Sequence, residues 1–185
     1  MVTTDDDEAA HYLRRVRSHG ASTSDLARHA SRTTTAEHYA DLGYNYRMTD
    51  IQAALGNLQM RRIETLIAER RRLASRYNVM LADCDHLEIP FEPDDRRHTY
   101  QSYCVRVRGR RSRDEIMSIL ATKGIATRRG VMAIHLEPYY RARNPNLSLP
   151  ATEAAASETL LLPLFPGLTE EEQETVVAGL RGSLS

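Results

Sequence analysis

Residues 43–55 read Gly43-Tyr44-Asn45-Tyr46-Arg47-Met48-Thr49-Asp50-Ile51-Gln52-Ala53-Ala54-Leu55, and this stretch decides the architecture. Thr49 with Gln52 three residues on is a capping-box pattern. Ile51, Leu55, Leu58, Leu66, Leu73, Tyr77 and Met80 then keep helical spacing to about Cys84. The pattern predicts a long bridging helix over 49–84, which at a rise of 1.5 Å per residue spans roughly 50 Å. Such a helix outruns one small domain and is expected to bridge two bodies or pack on a partner. Just before it, two tyrosines, an amide and a guanidinium precede a helix N-terminus. That placement suits an anion, because the first-turn N–H groups and the helix dipole favour negative charge and Arg matches phosphate. Ordinary capping and packing of the loop explains the same residues equally well.

Upstream, Met1–Thr4 is expected as a short strand and residues 6–17 as a helix, acidic at its start and carrying Arg14, Arg15 and Arg17 at its end. Residues 18–40, rich in Ser, Thr and Ala, read as a long surface excursion. Downstream, beyond Pro90 and Pro93, Tyr103, Val105 and Val107 alternate with Ser102, Cys104 and Arg106 as in a half-buried strand. Ser112 with Glu115 caps a helix that Gly124 closes, and 125–134 reads as a second strand. A helix over 152–158 leads to a buried apolar strand at 160–165, which Pro163 limits to an edge or end position. Thr169 with Glu172 opens a last helix carrying Val176, Val177 and Leu180. From Gln101 onward the order strand–helix–strand–helix–strand–helix predicts an α/β layer. The expected division is 1–48, a bridging helix over 49–84, and an α/β domain over 85–185.

The function classes narrow with the charge. Lys plus Arg and Asp plus Glu each count 25 in 185 residues, which argues against nucleic acid or an anionic membrane as partner. No apolar run approaches the roughly 20 residues of a membrane helix. The acidic start does not resemble a secretory signal, so a cytoplasmic location is expected. No GxG fingerprint and no GKS/T of a P-loop are present. His135 and Glu137 alone do not make a metal site, and Cys84 and Cys104 read as packing residues. A single lysine, Lys123, stands among the 25 Lys and Arg residues.

The stretch GYNYRMTDIQAALGNLQMRRIE resembles the segment that opens the long connecting helix of the DegT/DnrJ/StrS family, pyridoxal-phosphate-dependent aminotransferases of nucleotide sugars with the aspartate aminotransferase fold. MVTTDDDEAAHYLRRVRSHG, HTYQSYCVRV, LATKGIATRRGVMAIHLEPYYR and LLLPLFPGLTEEEQETVVAGLR resemble further segments in the family's order. The resemblance implies the small C-terminal domain of a fold-type-I aminotransferase, preceded by the bridging helix and a remnant of the large cofactor domain. It also implies that the Schiff-base lysine and most of the cofactor pocket would lie upstream of Met1, so no catalytic residue is assigned. By resemblance, Asn45 reaches the cofactor phosphate, typically of the neighbouring subunit, and Arg47 contacts the anion or supports the loop. His135 matches a position near the sugar-nucleotide side of the cleft, with Arg128 and Tyr139 as further candidates there. A hydrogen-bonded histidine at a strand end is the alternative for His135. The implied partners are a second copy or a cofactor-bearing half, with a nucleotide sugar and an amino-acid donor as substrates. The other class of function is non-enzymatic: a truncated homologue acting as a dimerisation or docking module.

Overall fold

The computed structural model describes residues 2–23, 30 and 38–184. The chain divides into two compact units, residues 1–61 and 62–185.

In the first unit, Asp6 accepts the amide of Ala9 and caps helix α1 (Asp7–Val16), with Asp7 and Glu8 in its first turn and Arg14 and Arg15 in its last. This charge order complements the helix dipole. Residues 2–4 form no strand, unlike the sequence expectation: a strand requires a hydrogen-bonding neighbour, and none of the described residues supplies one. Residues 24–29 and 31–37 of the expected surface excursion lie outside the described residues. Helix α2 (Asp50–Arg61) starts with the expected box: the Thr49 amide donates to Gln52 Oε1 at 2.9 Å, and the Gln52 amide to Thr49 Oγ1 at 3.3 Å.

The single helix expected over 49–84 is instead two. Arg62, at φ −102° and ψ 0°, leaves helical geometry, and α3 (Ile63–Leu81) begins anew after it. Leu73, Ala74, Tyr77 and Leu81 of α3 are all buried in the core of the second unit. That unit therefore starts well before residue 85, because its sheet needs this helix as a cover.

The sheet has four strands in the order β1 (Leu87–Glu88), β2 (Tyr103–Val107), β4 (Thr159–Leu162), β3 (Arg128–Arg129), all neighbours antiparallel. In β2 the alternation holds: Tyr103, Val105 and Val107 are buried, and Cys104 and Arg106 half-buried. Tyr103 stands opposite Leu162 and Val105 opposite Leu160. The second strand is much shorter than expected. Only Arg128–Arg129 pairs, and Ile134–Leu136 is a turn of 3-10 helix. Pro163 follows the last residue of β4, so its missing N–H costs the ladder nothing although β4 is an inner strand.

The helices of this unit are α4 (Arg113–Thr122), the short α5 (Pro138–Arg141), α6 (Pro150–Glu158) and α7 (Glu170–Leu184). Helix α4 carries a complete Ser112–Glu115 capping box, and Gly124 follows its end at φ +74°. Such a left-handed turn is open to glycine without strain. Thr169 and Glu172 reproduce the box ahead of α7. Between the helices and the sheet lie Ile116, Leu120, Val176, Val177 and Leu180, and the Tyr77 and Tyr103 rings meet at 4.9 Å. Buried Gln173 donates to the Leu73 carbonyl at 3.0 Å, so α7 and α3 share a hydrogen bond as well as a core. The loop after β1 is tied to α3 by arginines. Arg70 donates to the Tyr100 and Gln101 carbonyls, while Arg71 donates to the His98 carbonyl and pairs with Glu92 at 2.6 Å.

Candidate functional site

Two regions carry the candidate residues, one in each unit. In the first, residues 43–46 run beside the end of α1. The Tyr44 amide donates to the Val16 carbonyl, the His19 amide to the Tyr44 carbonyl at 3.0 Å, and the Tyr46 amide to the Arg17 carbonyl at 3.0 Å. Asn45 bridges to Ser18. This pairing brings two glycines together: a Cβ on Gly43 would lie 1.9 Å from the Gly20 nitrogen, so only glycine fits. Arg15 holds Asp41 from the α1 side, and the Tyr44 and Tyr46 rings stack at 5.1 Å. The backbone of Asn45 is thus fixed while its side chain is exposed, and Arg47 is exposed two residues on. An amide and a guanidinium standing just before the α2 N-terminus are a donor set that suits a phosphate.

In the second unit, Met132, Ile134, His135, Tyr140, Asn144, Leu147, Leu149 and Thr152 line an open, mostly apolar depression of about 350 Å³. His135 is buried and its Nε2 lies 3.0 Å from Glu153 Oε1. The same oxygen accepts the Leu149 amide at 2.8 Å and the Ser148 hydroxyl at 3.3 Å. These donors hold the Glu153 carboxyl below its ordinary range, the His135 hydrogen bond being the largest cause and the Leu149 amide the next. A carboxylate that stays ionised accepts only, so the proton between the two groups sits on Nε2.

Tyr139 precedes Tyr140 of the depression, but its own ring is exposed and carries the Arg143 guanidinium 3.8 Å from its centroid. Arg128 stands in β3 opposite Leu161 and does not line the depression. Of the three substrate-side candidates, His135 alone is therefore in its wall. Glu153 is what sequence reasoning missed. It lies 18 residues from His135 in an alanine-rich helix, and no local pattern marks the contact.

Cys84, Cys104 and Lys123 have structural settings of their own. Burial pushes the Cys84 and Cys104 thiols up, away from the thiolate a nucleophile needs. Lys123 is the exposed C-cap of α4, where a cation beside the last carbonyls is stabilising. Among the described residues no helix is long and apolar enough to cross a membrane.

The family model described as the DegT/DnrJ/EryC1/StrS aminotransferase family matches residues 1–181. The aminotransferase TlmJ from Streptoalloteichus hindustanus is 29% identical at a TM-score of 0.81, the match covering 97% of this chain and 46% of TlmJ. The sugar aminotransferase CalS13 from Micromonospora echinospora is 26% identical at a TM-score of 0.81, covering 96% of this chain and 45% of its own. For the fold alone, the putative sugar aminotransferase Spr1654 from Streptococcus pneumoniae in its PLP form gives a TM-score of 0.79 at 24% identity, over 97% of this chain and 44% of that one. The chain thus spans just under half the length of these solved structures. Its α/β fold is part of the aminotransferase fold.

Proposed function

Because the chain belongs to the DegT/DnrJ/EryC1/StrS aminotransferase family, we propose that it is the C-terminal part of a cytoplasmic, pyridoxal-phosphate-dependent aminotransferase acting on a nucleotide-linked keto sugar. The family match over residues 1–181 carries this reading. Pyridoxal phosphate, when bound, supplies an electron sink for the carbon that exchanges its amino group. In this chain, Asn45 and Arg47 would hold the phosphate group: both are exposed ahead of a helix N-terminus, on a backbone that the Gly20–Gly43 approach keeps in place. His135, with Arg128 and Tyr139 as further candidates, would face the sugar nucleotide. The covalent lysine that the chemistry needs is not Lys123, which caps α4. Turnover on this reading requires a cofactor-bearing half, supplied by an N-terminal segment of the same protein or by a separate chain.

The test is reconstitution with a cofactor-bearing half. Turnover of a keto sugar nucleotide is expected only in the pair. Asn45→Ala or Arg47→Ala should weaken cofactor binding about ten- to a hundredfold, the equivalent of losing a charge-assisted contact of roughly 1.5–3 kcal/mol. Unchanged affinity in both variants would leave these residues with the capping role alone.

A second reading, a non-catalytic dimerisation or docking module, is favoured by the outer surface of α2. Ile51, Leu55 and Leu58 are 83%, 60% and 57% exposed. A run of large apolar side chains facing water marks a surface that binds protein. A homodimer is the expected state under either reading, and sedimentation showing a well-folded monomer at micromolar concentration would count against both.

A further inference from the structure

The three donors on Glu153 come from two pieces of chain. His135 belongs to the 3-10 turn, Ser148 and Leu149 to the loop before α6, and Glu153 itself to the first part of α6. One carboxylate therefore joins the segments that supply Ile134, His135, Leu149 and Thr152 to the depression. The His135 ring is buried, whereas about a third of the Glu153 side chain is open, so the ring has little freedom and the carboxylate holds its polar edge.

An imidazole has two distinct nitrogens, and the hydrogen bond made by one fixes what the other can do. We propose that Glu153 is a positioning residue: by binding the Nε2–H of His135 it holds the ring in one orientation and tautomer, so that Nδ1 is the nitrogen offered to a ligand in the depression. A neutral Nδ1 accepts a hydrogen bond, which suits a sugar hydroxyl. This rests on the reading of the depression as the sugar side of an aminotransferase site, and names the residue and the atom that would act there.

The deciding experiment is nitrogen-15 NMR of the histidine side chains in the full chain, with no ligand added. At pH 8 the wild-type His135 should show its proton on Nε2 and an unprotonated Nδ1. Glu153→Gln, whose amide oxygen can still accept from Nε2, should keep that pattern. Glu153→Ala should move both nitrogens toward the averaged values of a free imidazole, while the amide signals of β2 and β4 stay in place. A wild-type proton on Nδ1, or a Glu153→Ala spectrum identical to wild type, overturns the proposal. If Glu153→Ala fails to fold, the wild-type and Glu153→Gln spectra still decide it. In a reconstituted pair, Glu153→Ala should lower kcat/KM for the sugar substrate about tenfold and Glu153→Gln should restore most of it. Absence of turnover in the wild-type pair would refute the aminotransferase reading, whereas the NMR outcome judges Glu153 independently of it.

Discussion

Gly43 and Gly20 pass so close that a methyl group on Gly43 would overlap the backbone of residue 20, at 1.9 Å from its nitrogen. Gly20 is itself at φ +75°, with the Asp41 carbonyl 2.1 Å from where its own Cβ would stand. The two glycines are what allows residues 43–46 to lie against the end of α1. Gly43→Ala should therefore release Asn45 from its seat without touching the core of the second unit. Hydrogen exchange should show lost protection at Tyr44 and Tyr46 and unchanged protection in β2 and β4.

Within the second unit, a core truncation should outweigh a cap deletion. Leu160 is fully buried opposite Val105, and Leu160→Ala should cost about 2–5 kcal/mol through lost transfer energy and a residual cavity. Ser112→Ala removes one half of a capping box at the surface and should cost about 1 kcal/mol. Urea denaturation of the two variants against wild type measures both, and a Ser112→Ala loss equal to that of Leu160→Ala would contradict the packing described above.

The loop clamp should confer acid sensitivity. Arg71 holds the Glu92 carboxyl below its ordinary 4.5, with the His98 amide as the next cause. A carboxyl whose folded value is depressed contributes stability that is fully present above about 4.5 and is lost as the pH falls through the lower folded value. Unfolding free energies measured between pH 7 and pH 3 should fall on the acid side. Glu92→Gln should flatten that slope, since Gln cannot gain a proton there; an unchanged slope would assign the acid sensitivity to other carboxylates.

Lys123 should remain chemically silent. It ends α4 in the open, near the α7 glycine Gly182, with the structural role of a C-terminal cation. Borohydride treatment in the presence of pyridoxal phosphate, followed by peptide mass spectrometry, should find at most sub-stoichiometric labelling at this residue and no turnover of an amino donor. Stoichiometric labelling with turnover would overturn the proposal that turnover requires a cofactor-bearing half.

Local chemistry was legible in the sequence and distant contacts were not. Thr49 with Gln52, Ser112 with Glu115 and Thr169 with Glu172 each cap a helix as expected, because a cap is decided within four residues. The alternation at Tyr103, Val105 and Val107 predicted their burial for the same reason. The break at Arg62 was not foreseeable from a Gly or Pro signal, since neither stands there. The strand expected over 125–134 shrank to two residues, Arg128 and Arg129 beside Leu161 and Leu160 of β4, and nothing local in 125–134 marks where that pairing stops. At the candidate site, His135 carried a family pattern, whereas its partner Glu153 is set by how α6 folds back on the 3-10 turn.

The inner strands β2 and β4 are adjacent in the sheet yet separated by more than fifty residues of chain. Closing that pair has to wait for a long loop to be ordered, and loop closure of this kind slows folding relative to nearest-neighbour hairpins. During synthesis, β2 emerges with its Tyr103, Val105 and Val107 side chains and its ladder to β4 still unmet. Until residues 159–162 and α7 arrive, the nascent chain presents a sticky strand edge, so its yield in a cell should depend on how fast translation completes the last helix.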